Sequence, residues 1–387
     1  MDFRFTEQEE AFRQEVIEFS KKEVGDWRGM IDEGDRIGDS WERNLQMSKK
    51  ILDKGWMALS WPREYGGQGR STIEYFLFKE VTEYYGTMGV DHWGTYMVGP
   101  AVLIHGTEEQ KKRFLLPISR GETIWCEGFS EPDAGSDLAS VKCQAKEEDD
   151  HFVINGEKIW TSGAHRANWM FMLARTAHNA PKHKGLTYFL IDMKTPGITV
   201  QRIADMTGCH HLNRVLLENV IVPRENVLGA VNKGFYVAMT TLDFERSGIE
   251  RIARCQRYLD RLVEYVKEKG LDSDPVIRNK LGRIATEIHV GRLLCYRVAW
   301  LQNKGEIPSY AASVSKVYGA ELMQRTGRSA VEILGPYGIL SLESYLAPIE
   351  GTLSTWYVSN VGRTFGAGTS EIQRNVIATR GLGLPRE

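Results

Sequence analysis

The period of the sequence changes twice, near Gly121 and near Gly234. Before the first change apolar residues recur at helical spacing. Between the two lie short runs rich in valine, isoleucine and aromatic residues, separated by turn residues, and after the second the helical spacing returns. A chain of 387 residues is too long for one ordinary core. The pattern therefore predicts a mainly α fold with a central β domain: an N-terminal helical domain over 1–122, a small β-barrel or sandwich over 123–232, and a C-terminal helical bundle over 233–387.

Taken in order, the spacing predicts helices over 6–24, 41–54, 72–85 and 96–105. Thr6 with Glu9 forms a capping-box pattern, and Gly25 and Gly106 are expected stops. Strands are expected over 123–129, 141–147, 170–175, 186–192 and 199–202. Residues 151–154 and 158–160 flank Asn155-Gly156-Glu157, a hairpin signal. Residues 213–218, 220–223 and 227–229 complete the run as three short strands. Helices follow over 235–269, broken near Ser247-Gly248, then over 274–303, 310–334 and 369–379, with a loop over 335–355.

Several classes of function are excluded early. A formal net charge of −2 offers no basic field for nucleic acid or an anionic membrane. No apolar run approaches the ~20 residues that cross a bilayer, and the N-terminal residues lack the apolar core of a signal peptide, so a cytoplasmic location is expected. The five cysteines, at 126, 143, 209, 255 and 295, are odd in number and none form CxxC. Reduced, packed thiols follow, with neither a disulfide framework nor a zinc site. His210-His211 are adjacent and share no face, so no metal site is expected there.

The stretch Gly128-Phe129-Ser130-Glu131-Pro132-Asp133-Ala134-Gly135-Ser136-Asp137 sits where the period changes. Pro132 and Gly135 forbid a regular helix or central strand. Two serines offer hydroxyls, and the glycine lets backbone N–H groups approach a ligand. With Gly106-Thr107-Glu108-Glu109-Gln110-Lys111, Ile154-Asn155-Gly156-Glu157-Lys158-Ile159-Trp160-Thr161-Ser162-Gly163, Leu217-Glu218-Asn219-Val220-Ile221-Val222-Pro223 and Gly368-Thr369-Ser370-Glu371-Ile372-Gln373-Arg374-Asn375, it resembles the acyl-CoA dehydrogenases over essentially the whole chain.

That resemblance implies an FAD-dependent oxidoreductase with the fold just outlined, its C-terminal part a four-helix bundle. It implies that Phe129 and Ser130 lie along the flavin ring, that Trp160 packs on the isoalloxazine and that Ser162 sits near the flavin N5 side. Gly135 and Ser136 match positions near the flavin diphosphate and the CoA chain, Thr369 and Glu371 positions at the adenine end, and Asp243 and Arg246 contacts to CoA. Implied partners are an acyl-CoA substrate, an electron-transfer flavoprotein, and other subunits in a homotetramer or hetero-oligomer.

The family reaction needs a carboxylate to remove the proton next to the thioester. At the commoner family position this chain has Ala367, which cannot accept a proton. The other family position, on the first helix of the C-terminal domain, is Glu245, and members using it tend towards branched, long or polycyclic acyl groups. Glu350-Gly351-Thr352 resembles the missing motif but falls too early. A third carboxylate, Asp91, precedes Trp93 in the segment matching the far end of the acyl pocket. Its alternatives are a helix N-cap or a second base for 1,4-dehydrogenation of a cyclic enoyl-CoA, such as a cyclohexene-carboxyl-CoA, to a conjugated diene. The loss of acid at Ala367 leaves a further alternative, a catalytically inactive partner subunit of a hetero-oligomer. A family Arg-x-x-Phe-Gly stretch is absent near 267–274, and Glu332 and Pro336 replace the usual Gln and Gly.

Overall fold

The chain, here a computed structural model, is described over residues 4–24, 39–89, 93–245, 248–342 and 344–385; the side chains of 39, 40, 243–245 and 309 fall outside the description. The helices before the first strand are α1 (Glu7–Val24), α2 (Asp39–Asp53), α3 (Thr72–Tyr85), α4 (Gly99–His105) and α5 (Glu108–Ser119). The strands are β1 (Trp125–Gly128), β2 (Gln144–Glu147), β3 (His151–Lys158), β4 (Trp169–Arg175), β5 (Leu186–Asp192), β6 (Ile198–Ala204) and β7 (His210–Pro223). After them come α6 (Gly234–Glu245), α7 (Ile249–Glu268), α8 (Pro275–Asn303), α9 (Ser309–Leu334), α10 (Thr352–Ser359) and α11 (Ser370–Val376).

Helix starts follow local chemistry. Reciprocal capping boxes open α1 (Thr6 with Glu9), α3 (Ser71 with Glu74) and α5 (Thr107 with Gln110). Gly106 caps the C-terminus of α4 as expected, in extended backbone at φ −79°. A glycine is needed there because a Cβ would stand 2.6 Å from the Val102 carbonyl oxygen. Gly25 lies outside the described residues. The expected loop over 335–355 ends in α10, whose buried Leu353 and Trp356 join the core of the C-terminal helices.

The strands form one curled sheet, ordered β1-β4-β2-β3-β7-β6, with β5 also on β4. β2 meets β4 through the single pair Gln144–Arg175, where the sheet turns. Two sequence expectations change here. Asn155-Gly156 closes no hairpin, and β3 runs straight through it. The three short strands expected after 213 are one strand, β7, followed by an isolated bridge from Val227 to Phe189. The reason is a bulge: Ile154 pairs with Val220 but Gly156 pairs with Leu217, so β7 carries one extra residue. Asn219 takes up that residue at φ +53°, and its N–H donates to Asn155 Oδ1 at 2.8 Å. The bulge lets Val215, Leu217, Val220 and Val222 all point inward although their spacing slips by one.

Two compact units divide the chain, one of Met1–Glu33, Ser71–Met88 and Arg246–Glu387, the other of Gly34–Arg70 and Gly89–Glu245. In the sheet unit β4 and β5 are buried on both faces. Phe171, Leu173, Tyr188 and Leu190 pack under α4, α5 and α6, while Met170, Met172, Phe189 and Ile191 face Phe152, Ile154 and the β7 valines inside the curl. In the other unit Phe76 joins Ile252, Leu259, Ile288, Met323 and Trp356. There α3 also presents a charged stripe: Glu83 pairs with Arg254 at 2.8 Å, Glu80 with Arg292 at 2.7 Å, and Lys79 with Glu250 at 3.7 Å.

Candidate functional site

The segment after β1 is pinned at three buried residues. Phe129, Glu131 and Ala134 are buried, whereas Pro132, Asp133, Gly135, Ser136 and Asp137 are exposed. The Glu131 and Ala134 backbones exchange two hydrogen bonds, at 2.9 and 3.0 Å, which close the turn. Phe129 stands edge-on to Phe171 and Tyr188, with ring centroids 5.6 and 5.9 Å away. Nothing lies within 4 Å of where a Gly135 Cβ would be, so the backbone there is open to an approaching group. At the rim Asp137 pairs with Lys182 at 2.8 Å, and Asp133 with Lys142 at 3.1 Å. The Asp137 carboxyl is held below its ordinary value by the hydrogen bond from Lys182 and then that from Ser140.

A second segment, Ile159 to Gly163, runs alongside. The Ile159 N–H donates to the Ser130 carbonyl at 3.0 Å. Trp160 then turns the chain in the left-handed region, at φ +61°, and its indole is 55% exposed. Among the described residues it makes no ring contact. Thr161 is held on both sides by Asn213, N–H to carbonyl at 2.9 Å and carbonyl to Nδ2 at 3.0 Å. Gly163 N–H donates to the His211 carbonyl. Thr161 Oγ1, between Trp160 and Ser162, is buried with no hydrogen-bond partner. A bare, exposed indole face beside an open glycine loop and an orphaned hydroxyl suits a flat, polar-edged ring such as a flavin.

The structure thus brings together Phe129, Ser130, Gly135, Ser136, Trp160 and Ser162 within the sheet unit. Trp93 is in the same unit, its ring 6.3 Å from that of His211. Asp91 and Arg246 lie outside the described residues. Asp243 and Glu245 are placed only as backbone, in the last turn of α6. That helix is anchored: Val237 and Ala238 are buried, and the Thr241 hydroxyl is 3.2 Å from that of Tyr188. Thr369 and Glu371 belong to the other unit. Thr369 caps α11, accepting from Ile372 N–H at 3.1 Å. The Glu371 carboxyl is held low by its own backbone N–H and then by Thr369. Beside them a cleft of about 350 Å³ is lined by Gln324, Arg325, Arg328, Thr364 and Ser370, and Ser370 Oγ is buried without a partner. Ala367 is exposed at φ +51°. Glu350 is 3.4 Å from Arg261, which also donates to Thr352.

Sequence reasoning missed two features. Lys158 is wholly buried and its Nζ is 2.7 Å from Glu131 Oε1. His210 stacks on His165 with centroids 4.0 Å apart, and Asn213 bonds to both rings. Among the described residues no group of three or more histidine, cysteine, aspartate or glutamate side chains could hold a metal, and no helix is long and apolar enough to cross a membrane. The cysteines are buried, and burial pushes the Cys143 thiol up to about 11.

Profiles of the N-terminal, middle and C-terminal domains of acyl-CoA dehydrogenase match residues 6–122, 126–220 and 232–382. Acyl-CoA dehydrogenase IpdE1 of Mycobacterium tuberculosis (strain ATCC 25618 / H37Rv) is 35% identical over 359 residues, 91% of either chain. Among solved structures, the Tcur3481-Tcur3483 steroid ACAD superposes with a TM-score of 0.92 at 31% identity, covering 100% of both chains. The ChsE4-ChsE5 complex of M. tuberculosis gives 0.88 at 29% identity, again covering 100% of both.

Proposed function

The chain belongs to the acyl-CoA dehydrogenase family, and we propose that it oxidises a cyclic or polycyclic acyl-CoA thioester with Glu245 as the base. It is an oxidoreductase whose cofactor is FAD; when bound, FAD supplies the hydride acceptor. Phe129, Ser130, Trp160 and Ser162 would line its isoalloxazine. Gly135 and Ser136 would lie towards the diphosphate and the CoA chain, Thr369 and Glu371 would meet the adenine end, and Asp243 and Arg246 would hold CoA.

The observation that carries the choice of base is the link from the flavin loop to α6. Phe129 packs on Tyr188, the Tyr188 hydroxyl meets Thr241, and Glu245 is one helical turn beyond Thr241. Ala367 has no acidic group to offer instead. Glu245 takes the proton from the carbon beside the thioester carbonyl; the hydride on the next carbon would go to the bound FAD, which leaves a double bond between the two carbons. An electron-transfer flavoprotein would be the partner that takes up the two electrons. Support for a ring substrate comes from the steroid ACAD among the similar structures.

A second reading, 1,4-dehydrogenation of a cyclohexene-carboxyl-CoA with Asp91 as base, is favoured by one contact. The ring of Trp93, two residues on, lies tilted against that of His211 at 6.3 Å, and the His211 carbonyl takes the N–H of Gly163 next to Ser162. Assembly with a different subunit is supported by the two-component neighbours, Tcur3481-Tcur3483 and ChsE4-ChsE5.

The test is anaerobic flavin bleaching with straight, branched, cyclic and steroid-like acyl-CoA thioesters, including a cyclohexene-carboxyl-CoA. Ring substrates should bleach fastest, and Glu245→Gln should slow bleaching by roughly 10²–10⁴-fold with FAD still bound. A full rate in Glu245→Gln refutes Glu245 as base. Bleaching only after a second chain is added would identify a hetero-oligomer.

A further inference from the structure

Two buried charges lie directly beneath the flavin-facing edge, and the reaction uses neither. Glu131 follows Ser130, and Lys158 precedes Trp160 by two residues. The Lys158 side chain has no exposed surface and that of Glu131 is 7% exposed. Lys158 Nζ donates to Glu131 Oε1 at 2.7 Å and to the Phe129 carbonyl at 3.3 Å. The Glu131 carboxylate also accepts from the backbone N–H groups of Lys142 and Cys143, the latter at 3.0 Å. Every bond converges on one spot, between the loop at 129–134 and the end of β3.

As a source of stability this arrangement is poor. Removing two ions from water costs several kcal/mol each, and a well-packed apolar pair of similar volume often does as well or better. What a fully bonded buried pair supplies is direction, since neither charge can shift without leaving the other unsatisfied. Direction is what this edge requires. Trp160 stands at φ +61°, a conformation that costs a bulky L-residue about 1–2 kcal/mol and persists only where its surroundings over-determine it. The adjoining backbone bond, from Ile159 N–H to the Ser130 carbonyl, joins the two segments but does not fix their spacing from the core.

We propose that the Glu131–Lys158 pair is a positioning device for the flavin-binding edge, fixing Ser130 and Trp160 relative to each other so that ring-edge donors and the indole face are preset. This rests on the reading of Ser130 and Trp160 as flavin contacts. Neither charged residue touches the cofactor; both act through their neighbours. Donors aimed at the pyrimidine edge stabilise the reduced, more negative flavin more than the oxidised one. Loosening them therefore lowers the reduction potential.

The test uses the full-length holoprotein and four variants: Glu131→Gln/Lys158→Met, Glu131→Gln, Ser130→Ala and Trp160→Ala. The measurements are the FAD dissociation constant, the shape of the flavin visible absorbance band, the reduction potential and the melting temperature. The double variant removes both charges and so leaves no unpaired ion. It is expected to fold, to bind FAD at least tenfold more weakly, to lose fine structure in the flavin band and to show a lower potential. Each tenfold loss of preference for the reduced form corresponds to about 30 mV. If the double variant does not fold, Glu131→Gln carries the test. It keeps an oxygen acceptor and the side-chain volume, and should move band and potential in the same direction by less. A lower melting temperature with unchanged FAD affinity, band shape and potential would overturn the proposal, leaving the pair as a core staple. Should Ser130→Ala and Trp160→Ala leave band and potential unmoved, the flavin-contact reading fails and takes the proposal with it. Should they move them while the pair variants do not, only the positioning role falls.

Discussion

Trp160 offers a measurement in which the backbone can be separated from the ring. Trp160→Ala and Trp160→Gly both remove the indole, so the contacts it makes, and the exposure of over half its surface, cancel between them. What differs is the cost of φ +61°. Alanine retains the Cβ that crowds the carbonyl in the left-handed region, at about 1–2 kcal/mol, and glycine does not. Against this stands the greater backbone freedom that glycine loses on folding, about 0.5–1 kcal/mol. The balance favours glycine by up to about 1.5 kcal/mol, the reverse of the usual order. For a chain of this length that is a difference of roughly 2 °C in melting temperature, measured on the apoprotein so that cofactor affinity does not enter. Both variants should bind FAD equally weakly relative to the parent, by about 0.5–1.5 kcal/mol for the lost ring stacking, or roughly 2- to 10-fold in dissociation constant. A melting temperature for Trp160→Ala clearly above that of Trp160→Gly would refute the claim that the native fold imposes this backbone conformation. Parental FAD affinity in both would refute the stacking role.

Two further outcomes concern the scaffold. Gly156→Ala, at φ +147° with a new Cβ 2.9 Å from both Cys143 Cα and Cys143 Sγ, should destabilise the sheet unit by about 1–3 kcal/mol, read as a lower denaturation midpoint. Gly135→Ala, where nothing lies within 4 Å, is the control. At Glu250 burial acts to raise the carboxyl, and Arg251 and Lys79 outweigh it, holding it at about 2 against an ordinary 4.5. Its contribution is therefore fully present above pH 4.5 and is lost as pH falls through about 2. The amount is about 3 kcal/mol, so Glu250→Gln should flatten the acid limb of a stability–pH curve between those values.

How much of this was legible in the sequence depended on whether one local rule or two competed at a position. The break after α6, the capping box at Thr6 and the limits of α3 and β5 each rest on a single local signal, and the structure has them where spacing and caps put them. The charged stripe of α3 was not legible, because nothing in the sequence near Lys79, Glu80 and Glu83 points to a partner. Their partners Glu250, Arg292 and Arg254 are some 170 to 210 residues away. Asn155-Gly156 and Asn219 read as breaks because those residues usually end strands. Here the two sit opposite each other across one bulge, and only the pairing shows that neither ends anything.

The same error hid Lys158. Once a hairpin is placed at Asn155-Gly156, the alternation of β3 is reset there and the side on which Lys158 stands is lost. Counted without a reset, Phe152, Ile154, Gly156 and Lys158 share one face of the strand. Phe152 and Ile154 are fully buried, so the count places the lysine indoors as well. A buried lysine requires an anion, and Glu131 is the carboxylate in the 128–137 motif that the fold leaves inside while Asp133 and Asp137 stay exposed. The motif's glutamate and the strand's lysine are thus two halves of one inference. Neither half could be drawn from its own stretch of sequence, because a lone glutamate in a turn and a lone lysine after a glycine both read as solvent-facing.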